Sequence, residues 1–311
     1  MRARSLVFTV YGDSIRPHGG EIGLGSLIRL MAPLGFSPRA IRAATSRMAR
    51  QGWLQTRRIG RRAYYSLTPR GAWRVEQGVR RVYRLAPEPW DGRWRLLTYA
   101  ISEGRRPVRD RLRRELAWLG LGPLSRSTWL TPRDLGGQLF ELAASHGLSG
   151  GVAIFEGTHL GPERDRALVG RCWDLEAVAS RYRAFTAATR RRAVVLRRGL
   201  RRGAVSDAAC FAEKITLVHE YRKFLFVDPG LPPSLLPAAW PGEEAARAFR
   251  DVYRMLDGPA ARFFARAFEP PPGSSARAYR PLNTGGRFSR KALTPSAASA
   301  LANTRNSTSR S

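Results

Sequence analysis

Residues 37–65 constrain the fold most, because they predict a capped helix followed directly by a short hairpin. Ser37 can cap the helix, and Pro38 suits its first turn, where a missing N–H costs nothing. Gly52 follows the last residue of the helical period and is a natural stop. The apolar positions share one face at helical spacing: Ala40, Ile41, Ala44 and Met48.

The opposite face of this helix is polar and carries long hydrogen-bond donors. Such side chains suit phosphate oxygens and guanine edges, so this face is a candidate surface for double-stranded DNA. The residues predicted to contact DNA from the helix are Arg39, Arg42, Ser46, Arg47 and Arg50.

The hairpin after the helix has a basic tip. Its turn falls at Ile59-Gly60, where glycine permits a tight reversal of the chain. The surrounding residues predicted to contact DNA are Arg57, Arg58, Arg61 and Arg62. Arginine is favoured in a minor groove because of the negative potential there. Helix and hairpin in this order predict a winged helix-turn-helix, although a solvated hairpin with incidental arginines is the alternative.

The charge of the chain favours a polyanionic partner. The 311 residues include 54 basic and 24 acidic side chains, a net charge of +30. Residues 1–86 hold 17 basic and 3 acidic residues, which is nearly half of the excess. Such a concentration of positive charge is typical of a nucleic-acid-binding region.

The remaining composition indicates a cytoplasmic protein. Cys172 and Cys210 provide neither a disulfide framework nor a metal-ligand cluster. The N-terminus lacks a signal-peptide core, since the apolar run Val7 to Tyr11 is too short. No apolar run approaches the length of a membrane span, so no membrane association is expected.

Composition and periodicity divide the chain into four parts. We predict a DNA-binding domain with a connecting helix at 1–86, a middle domain at 87–173, a helical domain for effector binding or dimerisation at 174–269, and a disordered basic tail at 270–311. A stiff segment, Ala86-Pro87-Glu88-Pro89, marks the first boundary. The tail has too few large apolar residues to fold alone.

The middle part predicts a small α+β sandwich of the ferredoxin-like type, because strands and helices alternate over a short length. The predicted elements are strand 94–101, helix 108–119, strand 127–130, helix 135–146 and strand 151–155. From Arg164 onward the pattern is helical. The fold class is therefore α+β with several domains.

Short runs spread over residues 6–268 resemble one family, the PaaX family of repressors of phenylacetic acid degradation operons. The runs are Tyr11-Gly12-Asp13-Ser14, Gly19-Gly20-Glu21-Ile22, Leu24-Gly25-Ser26-Leu27, Gly52-Trp53-Leu54, Ile59-Gly60-Arg61-Arg62, Trp90-Asp91-Gly92-Arg93-Trp94, Cys172-Trp173-Asp174-Leu175, Tyr221-Arg222-Lys223, Asp228-Pro229 and Leu235-Leu236-Pro237.

This resemblance implies a winged-helix N-terminal domain, a middle domain similar to the Cas2 fold and a helical C-terminal domain. It further implies a homodimer that represses transcription from a palindromic operator and is not an enzyme. The implied effector is phenylacetyl-coenzyme A or a related acyl-coenzyme A, which releases the DNA, and no cofactor is implied.

Tyr221, Arg222 and Lys223 are the predicted effector-binding residues. Coenzyme A carries phosphates and an adenine, which arginine, lysine and aromatic side chains can recognise. The alternative is a solvated helix face from which Tyr221 and Phe224 pack inward.

Other candidate sites are weaker. Asp13 or Ser14 can bond backbone groups at a helix end, a structural role. His18 and Glu21 lack a third metal ligand, and His219-Glu220 fails the zinc-protease spacing because Lys223 stands four residues after the histidine. An enzyme acting on nucleic acid or on coenzyme A thioesters, and a nonspecific nucleic-acid-binding protein, remain the alternative functions.

Overall fold

The structure is a computed structural model that describes residues 1–83, 89–148 and 150–273. Most of the predicted linker at 86–89, and the predicted tail from residue 274 onward, lie outside these described residues.

The N-terminal region combines helices with a three-stranded sheet. Helix α1 spans Ala3–Val10 and continues through a π-helical turn, Tyr11–Ile15, and a 3-10 turn, Arg16–His18. The elements that follow are β1 Glu21–Gly23, α2 Leu24–Met31, α3 Pro38–Arg50, β2 Leu54–Ile59, β3 Arg62–Leu67 and α4 Pro69–Val82.

Two of these helices begin at side-chain caps. Ser37 Oγ accepts a hydrogen bond from the Ala40 N–H at 3.2 Å, as predicted for α3. Thr68 Oγ1 accepts from the Gly71 N–H at 3.1 Å and donates to the Gly52 carbonyl at 2.7 Å. Each cap satisfies a helix N–H that has no partner within the helix.

The N-terminal sheet has the strand order β1-β3-β2 and is antiparallel. The predicted hairpin is confirmed, with Arg57 paired to Tyr64 and Ile59 to Arg62. Gly60 in the turn has a φ of 56°, in the left-handed region that glycine adopts freely. Strand β1 pairs with β3 over three residues.

The middle region is a four-stranded antiparallel sheet with two helices. Its elements are β4 Trp94–Tyr99, α5 Arg106–Leu119, β5 Gly122–Pro123, β6 Thr128–Thr131, α6 Gly136–Ser145 and β7 Val152–Gly157. The order β5-β6-β4-β7 is that of the predicted ferredoxin-like sandwich. Leu97, Leu112, Leu116 and Leu139 are fully buried in its core. The two-residue strand β5 was too short to be predicted from the sequence.

The C-terminal region is helical. Its helices are α7 Asp165–Cys172, α8 Leu175–Arg201, α9 Asp207–Tyr221 and α10 Gly242–Ala267. A 3-10 segment, Arg222–Phe226, extends α9. Asp174 and Ser206 cap α8 and α9 by accepting hydrogen bonds from Ala177 N and Ala209 N.

The N-terminal and C-terminal regions share one hydrophobic core. Leu6 and Val10 of α1 pack in the same cluster as Phe211 of α9 and Phe264 of α10. The ring of His18 lies 4.5 Å from the ring of Phe264. The two regions are therefore packed as one unit, although the middle region separates them along the chain.

Candidate nucleic-acid interface

Helix α3 presents its polar residues to solvent and its apolar residues to the core. Ile41 and Met48 are fully buried beside α1 and α2. Thr45 is also buried, and its hydroxyl donates to the Ile41 carbonyl at 3.0 Å. Ala44, which was predicted to share the buried face, is only partly buried. The five predicted DNA-contacting residues, Arg39, Arg42, Ser46, Arg47 and Arg50, are exposed and are called here the polar face of α3.

The four arginines of the polar face are not neutralised. Within the described ranges, none of Arg39, Arg42, Arg47 and Arg50 pairs with a carboxylate. Elsewhere many exposed arginines do form such pairs, for example Arg183 with Glu176 at 2.9 Å. Unpaired arginines on a helix surface are available to bind an anionic partner.

The hairpin tip is exposed, but only two of its four arginines lack a carboxylate neighbour among the described residues. We define the tip by Arg57, Arg58, Arg61 and Arg62 around Gly60. Arg57 donates two hydrogen bonds to Glu21, at 3.0 and 2.6 Å, and lies 5.8 Å from the Tyr64 ring centre. Arg62 lies 3.7 Å from a carboxylate oxygen of Glu269. Arg58 and Arg61 have no carboxylate partner among the residues that the structure describes.

A short connection holds the hairpin against α3. The Trp53 N–H donates to the Met48 carbonyl at 2.9 Å, and Gly52 has a φ of 70°. The Trp53 ring packs edge-on against Phe8 at 5.5 Å, and the Arg70 guanidinium lies 4.3 Å from its centre. These contacts fix where the hairpin leaves the helix, so the two arginine groups move together.

The three predicted effector-binding residues point in different directions. Tyr221 stacks on Phe249 at 4.2 Å, and burial raises its pKa well above the usual value. Arg222 donates to Ser5, whereas Lys223 pairs with Glu220 at 2.6 Å. Each of the three lines a different cavity. The structure therefore does not bring them together into one site.

A buried polar network lies where the N-terminal and C-terminal regions meet, and the sequence did not predict its extent. The Asp13 carboxylate accepts hydrogen bonds from Tyr83 Oη at 2.6 Å and Tyr253 Oη at 2.8 Å. Lys214 Nζ lies 3.3 Å from Asp13 and 2.7 Å from Asp257. We call these residues the Asp13 network. Asp13 was expected to bond local backbone. Its carboxylate instead accepts a hydrogen bond from the neighbouring Ser14 Oγ at 2.9 Å and contacts side chains of α9, α10 and the end of α4.

The described residues form neither a metal site nor a membrane span. Over residues 1–83, 89–148 and 150–273, no three His, Cys, Asp or Glu side chains are grouped so that they could hold a metal ion. In the same ranges, every helix is too short or too polar to span a bilayer. Cys172 and Cys210 are buried free thiols, and burial raises the pKa of both.

Three family models match three successive parts of the chain. Residues 2–71 match the family model "PaaX-like protein", residues 87–169 match "PaaX protein central Cas2-like domain", and residues 173–266 match "PaaX-like protein C-terminal domain". Among curated proteins, Transcriptional repressor PaaX of Escherichia coli (strain K12) is 33% identical over 281 residues, covering 87% of each chain. The chain belongs to the PaaX family.

Membership of the PaaX family confirms the resemblance seen in the sequence and the Cas2-like nature of the middle domain. The curated relative is a transcriptional repressor, so the expectation that this chain is not an enzyme is also confirmed. Among solved structures, Uncharacterized protein Rv0674 from Mycobacterium tuberculosis is 25% identical with a TM-score of 0.47, and the match covers 85% of this chain and 98% of that chain.

Proposed function

We propose that this PaaX family protein is a transcriptional repressor of a phenylacetate-type catabolic operon, which binds a palindromic operator as a homodimer. The observation that carries the proposal is the polar face of α3, whose four arginines are exposed and lack carboxylate partners among the described residues. The curated repressor relative supports the same function.

We infer that the N-terminal region is a winged helix-turn-helix. Helices α2 and α3 are joined by a 3-10 turn and by Gly35, which has a φ of 82°. In this arrangement the second helix lies in the major groove and its N-terminal residues contact base edges. Arg39 and Arg42 occupy the first two turns of α3 and therefore take that role, and Ser46 follows one turn later on the same face.

The hairpin tip is the wing of this unit. Arg58 and Arg61 contact phosphates or the minor groove, since arginine matches the negative potential there. These contacts add affinity for any duplex, whereas the contacts of α3 provide the sequence preference.

The effector proposed for release is an aryl-acyl-coenzyme A such as phenylacetyl-coenzyme A. To release the operator, such a ligand has to bind the free conformation more tightly than the DNA-bound one. The C-terminal region contacts α1 and α3 through the shared core and the Asp13 network. A ligand that moves the C-terminal helices would therefore also move α1 and α3.

The test is a binding titration with the full chain. Fluorescence anisotropy compares a labelled duplex from the chain's own promoter with a scrambled duplex, over a range of salt concentrations near the physiological value. We expect preferential binding of the promoter duplex, lost in Arg42→Ala. The double variant Arg58→Ala/Arg61→Ala should weaken binding to both duplexes and lower the salt slope by about two units.

The matched control is Arg197→Ala/Arg198→Ala, which removes two exposed, unpaired arginines of α8. Its affinity for both duplexes should equal that of the unchanged chain. Equal affinity of the unchanged protein for promoter and scrambled duplex would instead identify a nonspecific nucleic-acid-binding protein. Light scattering coupled to gel filtration measures the mass, and a monomer would contradict the proposed dimer.

A further inference from the structure

A cavity of about 250 Å³ lies where the N-terminal region, the connecting helix α4 and the C-terminal region meet. Thr9 and Asp13 line it from the N-terminal segment, Val79 from α4, and Arg222 and Leu225 from the 3-10 segment that extends α9. The cavity therefore touches each of the elements that hold the two regions together.

Arg222 is a cation in this cavity without a carboxylate partner in the described part of the chain. Its Nη2 donates to the Ser5 carbonyl at 3.0 Å and to Ser5 Oγ at 2.6 Å. Its Nε is buried and has no hydrogen-bond partner among the residues that the structure describes. Burial and the charge of Arg74 lower the pKa of Arg222 to about 10, so it stays protonated at neutral pH. A buried donor without an acceptor is costly, and a bound acceptor recovers that cost.

The rest of the wall favours an aromatic guest. The rings of Phe8, Trp53, Trp118 and Phe226 line the cavity. The Asp13 carboxylate, which also lines it, is occupied by the hydroxyls of Tyr83 and Tyr253 and by Lys214. Pockets for drug-sized ligands measure about 300–1,000 Å³, so this cavity suits one ring with a short polar arm.

We propose that this cavity binds the aryl-acyl end of the effector, with Arg222 donating to its carboxylate or thioester carbonyl oxygen. The proposal rests on the effector-controlled repressor proposed above and assigns the effector a place. The remainder of a coenzyme A thioester, if present, lies outside the cavity.

The same geometry explains how the guest affects DNA binding. A guest oxygen at Arg222 competes with Ser5, and that contact joins the 3-10 segment to α1. Helix α1 packs with Ile41 and Met48 of α3 in one core. Loss of the contact between Arg222 and Ser5 therefore changes the position of α1, against which α3 packs. The Asp13 network also lines the cavity and contacts the same guest.

Isothermal titration calorimetry with the full chain tests the site, with phenylacetate and phenylacetyl-coenzyme A as separate probes. Heat from phenylacetate shows that a ring with a carboxylate is sufficient, and heat from the thioester alone shows that the thioester carbonyl is the required acceptor. Both results support the proposal. The absence of heat from both probes, with a chain that still prefers its promoter duplex, overturns it.

Three variants locate the binding. Arg222→Gln, which removes the donor, and Val79→Phe, which fills the cavity, should each weaken the bound probe at least tenfold. Arg183→Gln, which removes an exposed arginine of α8 outside this cavity, should leave probe affinity unchanged. Circular dichroism shows whether each variant is folded. If Arg222→Gln does not fold, the probe affinity of Val79→Phe alone tests the location of the site.

Two outcomes separate this proposal from the proposed function. Unchanged probe affinity in folded Arg222→Gln and Val79→Phe, or an equal loss in Arg183→Gln, places the ligand elsewhere and leaves the repressor intact. Probe binding that depends on Arg222 in a chain that does not prefer its promoter duplex rejects the repressor and keeps the site.

Discussion

The hydroxyl of Tyr253 donates a hydrogen bond to the carboxylate of Asp13 over 2.8 Å, joining residues 240 positions apart in the chain. Asp13 lies in the π-helical turn after α1, and Tyr253 lies in the middle of α10. Both side chains are buried. The first and last long segments of the described structure are thus joined by a charge-assisted hydrogen bond shielded from water, where such bonds are strongest.

Asp13→Asn should destabilise the protein by about 2–3 kcal/mol, because it removes a buried charge that accepts hydrogen bonds from two tyrosines. The loss is limited because Lys214 keeps its contact with Asp257 at 2.7 Å. Unfolding in guanidinium chloride measures the change. The control is Asp251→Asn, an exposed carboxylate of α10, which should stay within about 0.5 kcal/mol of the unchanged chain. Equal stability of the two variants would show that the network contributes nothing.

Gly71→Ala should also destabilise the protein, although alanine is favoured over glycine in a helix by about 1 kcal/mol. A Cβ at position 71 would collide with the backbone carbonyl oxygen of Trp53, which cannot move without shifting the start of β2. We expect a loss of about 2 kcal/mol, as for other overpacked sites.

Gly78→Ala, in the same helix α4, is the matched control for this variant. Its Cβ would lie 3.4 Å from Leu225 Cδ1, the end of a flexible side chain. This change should be neutral or stabilising by up to about 1 kcal/mol. Thermal unfolding of both variants makes the comparison, and a similar effect at the two positions would refute the steric explanation.

Glu21→Gln should strengthen binding to any duplex. In the free protein Glu21 holds Arg57 through two hydrogen bonds, so Arg57 has to leave this partner before it contacts a phosphate. Removal of the negative charge frees Arg57, and the salt slope should become steeper by about one unit. For the same reason, Arg57→Ala should cost less affinity than Arg58→Ala.

Anisotropy titrations with a scrambled duplex measure the effect of Glu21→Gln. Glu176→Gln, which breaks an exposed arginine pair on α8, serves as the control with no expected change. A decrease in affinity for Glu21→Gln would mean that the pair with Arg57 holds the hairpin in its binding conformation.

His219 should make the protein less stable as the pH falls. It is buried with Nδ1 3.1 Å from Thr9 Oγ1, and burial lowers its pKa from 6.5 to about 4. The unfolded chain therefore takes up a proton below pH 6.5 that the folded chain refuses until about pH 4. The free energy of unfolding decreases through this window on acidification and is unaffected by His219 above it.

The variant His219→Gln isolates this contribution, because protonated carboxylates affect both proteins alike. Urea unfolding between pH 4 and pH 8 should give a weaker pH dependence for the variant than for the unchanged chain. Parallel curves would exclude His219 as the source.

Local signals explain which parts of the fold were predictable from the sequence. Helix α3 was predictable because its cap at Ser37, its period and its stop at Gly52 all lie in one continuous segment, residues 37–52. The hairpin followed from Gly60 in the same way. The middle sandwich was predictable from alternating elements, apart from the two-residue strand β5.

The candidate sites were predictable only in part, because their residues come from distant positions. Three partners of Asp13, namely Tyr83, Lys214 and Tyr253, lie 70 to 240 residues away, and no local pattern connects them. Arg222 was a predicted effector residue, but its neighbours in the cavity come from α1 and α4. Tyr221 and Lys223 follow the local helix and face elsewhere, so adjacency in sequence did not become adjacency in space.

The core that α1 shares with α9 and α10 affects how the protein folds during synthesis on the ribosome. Leu6 and Val10 leave the exit tunnel early, but Phe264, which helps to enclose them, is made some 180 residues after α4. At a translation rate of about 5–20 residues per second, the apolar surface of the nascent N-terminal region stays exposed for roughly 10–40 s. Newly made chains are therefore most dependent on chaperones before α10 emerges.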